Sequence, residues 1–358
     1  MTTVSIQGQK FLINGQPTYA GRTFDGKPVE GLLFNVRAVQ ATFDDANPGT
    51  RHLWNYPDTG VWDPERNVTE FMAALPQWKV HGVLGFTINL QGGGGRYLPE
   101  TYDTYLNNGF TNQGEIKPAY ADRISRVLDR ADELGMVVIL GMFYWKQTLK
   151  MELPQAAWTA VENALSFLRG TGHKNVMIEI ANETDIHFGM HDFTTEGAPK
   201  MIRHFKERFP EFLISTSYVV GWQLKEGKEI PDDFIRACDF IMPHGNGLRP
   251  DKLGPALDAL KQRPAFQQEP KPVIINEDSS GIPNLDCSFD RYVSWGYYDQ
   301  GFNDEQRQHD IWVDLPWSAR EKNIADLSGF QTPPVNWTIN TDRKQAFFNR
   351  VAQITGMK

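Results

Sequence analysis

Cysteine is nearly absent from this sequence of 358 residues. Cys238 and Cys287 are the only two, too few for a disulfide framework or a cysteine zinc site. Cys238 falls in the apolar run ACDFIM and reads as a small buried residue rather than a reactive thiol. Long hydrophobic runs are missing as well: no stretch approaches ~18 consecutive apolar residues, so no membrane span is expected. The opening MTTVSIQGQK has no cationic segment followed by an apolar one. No signal peptide is read there, and the expectation is a cytoplasmic chain or the mature form of an exported one. A basic stripe is equally lacking. Net charge is −8, with the acidic residues scattered, whereas nucleic-acid binding needs clustered Lys and Arg to neutralise phosphates. No Gly-x-Ser-x-Gly elbow surrounds a serine, which argues against a serine hydrolase. The run Gln91-Gly92-Gly93-Gly94-Gly95 lacks the Lys-Ser/Thr of a phosphate loop and reads as a bend near a substrate.

Aromatic residues, by contrast, are plentiful: ten Trp, eleven Tyr and 22 Phe. Several stand in polar, turn-rich contexts, among them Trp54 and Tyr56 in HLWNYPDTG, Trp62 in VWDPE and Trp222 in VVGWQ. Most such residues fill cores and pin loops. A few can form flat platforms for sugar rings, whose C–H faces stack on indoles while their hydroxyls need polar partners nearby.

The first 30 residues read as short strands around turns, with an Asn14-Gly15 hairpin signal in FLINGQPTY. One pattern then recurs: an amphipathic helix, a turn residue, a short apolar strand. AYADRISRVLDRADELG places Ile124, Val127, Leu128, Ala131 and Leu134 on one face and stops at Gly135 before MVVILGMFYW. AAWTAVENALSFLRG aligns Trp158, Val161, Leu165 and Leu168 before NVMIEIANE. MIRHFKERFP aligns Ile202, Phe205 and Phe209 before EFLISTSYVVG. FIRACDFIMPHGNG follows, then a helix around Leu253, Leu257 and Leu260, and then KPVIINEDSS. Strands that are apolar throughout and separated by helices indicate a parallel sheet covered by helices. GLLFNVRAVQ, HGVLGFTINL and RYVSWGYYD bring the count to about eight, the number for a closed (β/α)8 barrel. No strand runs into a G-x-G-x-x-G turn, which disfavours an open doubly wound sheet. No repeat or linker divides the chain, so residues 1–358 are expected to form one barrel domain, with 1–30 as an N-terminal β-hairpin.

Function in such a barrel sits at the C-terminal ends of the strands, and here those ends are polar. They read Phe43-Asp44-Asp45, Asn89-Leu90-Gln91, Tyr144-Trp145, Asn182-Glu183, His244-Gly245-Asn246, Asn276-Glu277-Asp278 and Trp295-Gly296. Two carboxylates stand out, Glu183 and Glu277. Across the mouth they could form the pair that glycoside hydrolysis needs, one protonating the leaving oxygen and the other attacking or stabilising the anomeric carbon. Glu179 shares strand parity with Glu183 but lies one repeat deeper, so a supporting hydrogen-bond role is expected for it. Asp278 should point the opposite way from Glu277. Asp44 and Asp45 fit either sugar hydroxyls or loop caps. A rival constellation is Glu183, His187 and His191, spaced four apart as if one helix face offered metal ligands; Gly189 and the preceding strand argue against a continuous helix there.

Asn182-Glu183 after VMIEIA, Glu277 after KPVIIN and Ser294-Trp295-Gly296 together resemble glycoside hydrolase clan A, the (β/α)8 barrels related to family five cellulases and mannanases. The resemblance implies that Glu183 is the acid/base and Glu277 the nucleophile. It also implies that Trp295 packs under the sugar and that Asn182 holds its 2-hydroxyl. His244 resembles the histidine after the sixth strand in many members, and FLINGQPTY the hairpin that often precedes these barrels. Two departures stand out. The clan's early-strand arginine is missing from HGVLGFTINLQ, which offers Asn89 and Gln91, leaving Arg37 in FNVRAVQ as the substitute. The tyrosine after the sixth-strand histidine is replaced by Asn246, so Tyr218 or Tyr144 is expected to orient the nucleophile.

The reading is therefore a retaining hydrolase of β-linked glycosides, with Glu183 and Glu277 catalytic. Asn182, His244, Trp295, Tyr144, Trp145, Asn89, Arg37, Asp45, Tyr218 and Asn246 are the candidate substrate contacts. No cofactor and no metal are expected; the expected partner is a carbohydrate, with no nucleic acid or membrane and with oligomeric state open. A carbohydrate-binding barrel without catalysis is the alternative, and a metal-dependent hydrolase using His187 and His191 a further one. Long loops at 44–68, 91–118 and 279–326 lean toward exo action.

Overall fold

The computed structural model describes residues 1–92, 105–186, 189–246, 248–299, 330 and 335–357. Its first elements are β1 (Val4–Gln7), β2 (Lys10–Ile13) and β3 (Gln16–Pro17), which form an antiparallel sheet. Asn14 and Gly15 turn β2 into β3 with φ of 53° and 75°. Two consecutive positive φ values match the right-handed twist of a tight hairpin, and Asn-Gly adopts them at little steric cost. A second small hairpin, β4 (Thr23–Phe24) with β5 (Lys27–Pro28), completes the N-terminal region.

Eight parallel strand segments then close on themselves. β6 (Asn35–Arg37), β7 (Gly85–Asn89), β8 (Val137–Phe143), β9 (Val176–Ala181) and β10 (Leu213–Ser215) pair in that order. Past Thr216 the fifth strand continues as β11 (Ser217–Val219), which pairs with β12 (Met242–His244). The seventh strand, around Val273 and Ile274, is held by single bridges, Ile241 to Val273 and Ile274 to Ser294. β13 (Gly296–Tyr297) returns to β6, with Gly296 opposite Asn35. This is an α/β (β/α)8 barrel preceded by an antiparallel N-terminal hairpin.

Helices cover the outside, and their buried faces follow the apolar spacing. In Pro118–Leu134, Ile124, Val127, Leu128 and Ala131 are fully buried, and the helix stops at Gly135, whose φ of 65° is the left-handed cap. Gln155–Thr171 buries Val161, Leu165 and Leu168, and Pro250–Lys261 buries Leu253, Leu257 and Leu260. The last helix, Asp342–Thr355, packs Phe347 and Phe348 inward.

The barrel interior is divided by chemistry. Its lower part is apolar: Leu33, Val137, Ile139, Met177, Met242 and Ile274 form one cluster with Phe240 and with Phe11 of β2, so the hairpin plugs this end. The next layer up is polar, carrying Arg37, Thr87, Asn89, Glu179, Ser217, His244 and Asn276, all buried. Polar groups withdrawn from water cost free energy unless paired, so this layer needs a reason beyond packing. Glycines make room for it. A Cβ on Gly141 would sit 2.2 Å from Asn89 Oδ1, and one on Gly296 would sit 2.3 Å from Asn35 Oδ1. Gly141→Ala should therefore destabilise the protein by ~1–3 kcal/mol through overpacking, read as a lower urea midpoint. Adding Asn89→Ala should recover much of the loss; no recovery would show that the strain lies elsewhere.

Candidate active site

β9 ends at Ala181, and the chain turns sharply through Asn182 and Glu183. Glu183 takes φ of 57°, in the left-handed region that disfavours a residue with a Cβ. The fifth strand holds this turn: Glu183 N–H donates to Ser217 Oγ at 2.8 Å, and Thr184 N–H to the Ser217 carbonyl at 2.8 Å. Ser217 Oγ donates in turn to Glu179 Oε1. The first glutamate of the strand thus supports the backbone of the second.

The carboxyl of Glu183 faces inward beside His244, with Oε1 3.2 Å from Nδ1. Burial pushes this acid up to about 7; Arg37 pulls against that and the nearby Glu179 adds to it. Glu277 follows Asn276 at a bend past the seventh strand and turns into the same space. Its Oε2 lies 2.6 Å from Arg37 Nε, and its Oε1 accepts from Asn246 Nδ2. A carboxylate oxygen of each glutamate and a ring nitrogen of His244 all lie within 4.8 Å of one another.

Arg37 ties the polar layer together. Besides Glu277 it donates to Asn182 Oδ1, and its Nη1 is 3.8 Å from Glu179 Oε2. Burial works against the guanidinium's charge, but Glu277 and Glu179 more than compensate and its pKa is raised. His244 is fully buried and its pKa lies below the usual value, chiefly through burial, although Glu277 pulls the other way. Asn182 Nδ2, Asn246 Oδ1 and both amide atoms of Asn89 are buried without a protein hydrogen-bond partner, whereas most buried polar groups have one. Tyr144 follows β8 and is half-buried, its N–H donating to Gln91 Oε1.

Arg37, Asn182, Glu183, His244, Asn246 and Glu277 are brought together, and Asn89 is buried in the same polar layer; Trp295, Tyr218 and Asp45 are not part of this group. Trp295 lies outside the mouth. Gly296 faces the inward Asn35, so its neighbours Trp295 and Tyr297 point outward, where both rings meet Phe347 of the last helix. The Trp295 indole donates to Asp278 Oδ2 at 2.6 Å. Burial pushes Asp278 up to about 7, while Trp295 and Asn284 hold it down by hydrogen bonds. Tyr218 also points outward, against Phe234, because Ser217 takes the inward position; Asn246 and Arg37 both hold Glu277. Asp45 accepts from Thr50, Trp54 and the N–H groups of Asn47 and Leu106, which makes it a loop cap. Trp54, Tyr56 and Trp62 are buried in a cluster with Phe43 and Tyr105 and offer no free face. Trp145 opens the short helix Trp145–Thr148, but its side chain lies outside the described residues. His187 and, of the long loops, residues 93–104 and 300–326 also lie outside them. His191 begins a separate helical turn, His191–Phe193.

Two residues carry more than their sequence context suggested. Tyr298 has the inward parity of Gly296 and stands at the end of the eighth strand, its ring centre 5.9 Å from the Arg37 guanidinium carbon. The strand glycine at 296, a marker of close backbone approach, was the signal for that register. Asn276 bridges His244, Glu179 and Thr87. Among the described residues, Glu183, His244 and Glu277 are also the group whose donor atoms converge closely enough for a cation. The Arg37 guanidinium, paired with Glu277, stands beside this group.

No protein-family profile matches the chain, and no curated protein matches it in sequence. Solved structures do share its fold. The hyperthermostable endo-1,4-β-D-mannanase from Thermotoga petrophila RKU-1 aligns at 12% identity with a TM-score of 0.53, covering 90% of this chain and 99% of that one. A glycoside hydrolase family 5 mannosidase from Rhizomucor miehei aligns at 12% identity with a TM-score of 0.50, covering 100% and 98%. At these identities the likeness concerns the barrel architecture.

Proposed function

We propose that this protein is a retaining glycoside hydrolase acting on β-linked carbohydrate, with Glu183 as acid/base and Glu277 as nucleophile. One observation carries the reading: two carboxyls converge at the barrel mouth within 4.8 Å, in unlike environments. Glu183 is largely but not fully withdrawn from water, and desolvation raises it to about 7, suited to hold a proton for the leaving oxygen. Glu277 lies against a guanidinium and an amide N–H, suited to attack the anomeric carbon as an anion. The spacing favours direct attack, for which ~5–5.5 Å is usual, over an inverting arrangement at ~6.5–9.5 Å that accommodates a water. Glu183 would protonate the departing oxygen as Glu277 forms the glycosyl ester, and would then deprotonate the water that cleaves it. Arg37, Asn182, Asn246 and Asn89 would orient the sugar and the nucleophile. The barrel shared with the two mannan- and mannoside-cleaving enzymes, and the resemblance to clan A, are consistent with this assignment and make β-mannosides the first substrates to try.

A panel of aryl β-glycosides and β-linked oligosaccharides tests the proposal, with the product anomer followed by NMR. Retention is expected. Since Glu183 must enter protonated, kcat/KM should fall above pH ~7 for substrates with poor leaving groups. Glu183→Ala should spare the glycosylation step on activated aryl glycosides while slowing deglycosylation, and azide should restore their turnover. Inversion, or no turnover of any glycoside with sugar binding intact, would favour an inverting enzyme or a binding barrel. Trp295→Phe separates the two roles considered for that residue: loss of the buried bond to Asp278 should cost ~1–3 kcal/mol of stability, with KM within about threefold of wild type. A large rise in KM at unchanged stability would return Trp295 to the sugar site.

A further inference from the structure

Asn276 stands immediately before the proposed nucleophile, yet it touches neither that carboxyl nor the mouth. Its Nδ2 donates to Glu179 Oε2 at 2.9 Å and reaches Thr87 Oγ1 at 3.3 Å; its Oδ1 lies 2.9 Å from His244 Nε2. We infer that Asn276, anchored by Glu179, is a positioning residue that fixes the tautomer of His244 and so keeps the acid/base proton on Glu183.

Glu179 anchors the chain of contacts. It is fully buried, and its carboxylate accepts from Ser217 Oγ and faces Arg37 Nη1. An ionised carboxylate only accepts, so the amide of Asn276 must offer it the NH2 group. The amide oxygen then faces His244, and because that oxygen also only accepts, Nε2 must carry the hydrogen. Burial keeps the ring neutral, so Nδ1 holds a lone pair. That lone pair points at Glu183 Oε1, 3.2 Å away, and at Glu277 Oε2, 3.7 Å away. A lone pair between two carboxylates is repulsive unless one of them is protonated. Glu183 is the nearer, while Glu277 has Arg37 and Asn246 as donors, so the proton belongs on Glu183.

The opposite tautomer would donate from Nδ1 to Glu183 and hold it ionised, which disables a general acid. It would also set two acceptors against each other at Nε2, or, after rotation of Asn276, at Glu179. The other charged or titratable groups around the ring and Glu183 are Arg37 from β6, with Tyr298 over it, and Asp185 beyond the turn. Arg37 opposes protonation of both. Asp185 is itself raised to about 6 by burial, against hydrogen bonds from Gln223 and Val219.

The catalytic part of this inference rests on the glycosidase reading, and the structural part is measurable without any substrate. Histidine-15N-labelled wild-type protein should show His244, assigned by its loss in His244→Gln, as the Nε2–H tautomer throughout pH 6.5–8. An Nδ1–H tautomer or an imidazolium in that range overturns the proposal. In Asn276→Ala both tautomers become accessible. The alkaline limb of kcat/KM for a poor-leaving-group substrate should then move about one pH unit toward acid, a roughly tenfold loss above the limb. Activated aryl glycosides, which need no acid, should keep their glycosylation rate within about threefold. An unmoved limb overturns the proposal, as does an equal loss on both substrates. If the variant does not fold, the wild-type spectrum decides alone. If no glycoside is turned over, the hydrolase assignment fails while the spectrum still judges the tautomer.

Discussion

Glu277→Gln is expected to lower kcat by roughly 10⁴-fold or more while leaving the fold intact. An amide oxygen is a poor nucleophile, so the glycosyl ester does not form. The fold should survive because the neighbours can adapt. The introduced amide can keep its oxygen toward Arg37 and turn its NH2 group toward Asn246. Asn246 now gives its Nδ2 to the carboxylate and has an unpaired Oδ1, so rotation of its amide restores the bond. Circular dichroism and the melting temperature should therefore stay close to wild type. Glu277→Gly with azide should yield a glycosyl azide of inverted configuration, the mark of a missing nucleophile rather than of a damaged barrel. Near-normal turnover of a competent substrate by Glu277→Gln would remove Glu277 from the mechanism.

Arg37→Met should be the most destabilising single change in the polar layer, by ~3–5 kcal/mol near neutral pH. Methionine roughly matches the volume, so packing is not the main loss. What disappears is the cation that offsets Glu179, Glu183 and Glu277, the last of which it meets at 2.6 Å. The direction with pH follows from Glu183. Its folded-state pKa is already raised by burial and held down by Arg37, so without Arg37 it climbs further above the unfolded value. Such a group stabilises the fold fully below the unfolded pKa, and the contribution is lost as pH climbs through the folded pKa. The deficit against wild type should accordingly stay nearly level up to pH ~7, where wild-type Glu183 begins to ionise, and grow from there toward pH ~8. Urea denaturation at several pH values checks this, and a deficit independent of pH would mean that Arg37 acts through packing alone.

Legibility in the sequence tracked how local each determinant was. Apolar strands separated by amphipathic helices revealed the barrel because both signals lie within single elements. Glu179 could be placed below Glu183 because period two holds along one strand. Trp295 could not, since its direction depends on Gly296 lying against Asn35 of the first strand, a register set between distant segments. Tyr218 failed for the same reason: Ser217 takes the inward position because Glu179 and the turn at Glu183 both need its hydroxyl. Asp45 was undecidable locally, its four donors coming from residues up to Leu106. Asn276 was visible as a polar residue at a strand end, but its role depends on three other strands.

The closure of β13 on β6 has a consequence for how the chain reaches its native state. Arg37 belongs to the first barrel strand and Glu277 to the seventh, and the Gly296–Asn35 pairing that seals the ring comes later still. A partly folded intermediate containing only the earlier strands would hold Glu179 and Arg37 together but lack both His244 and Glu277. Contacts this distant in sequence form slowly, because the intervening chain must first be ordered. The charge balance of the polar layer is thus among the last features to be completed, and the competent site and the finished ring should emerge in the same kinetic phase.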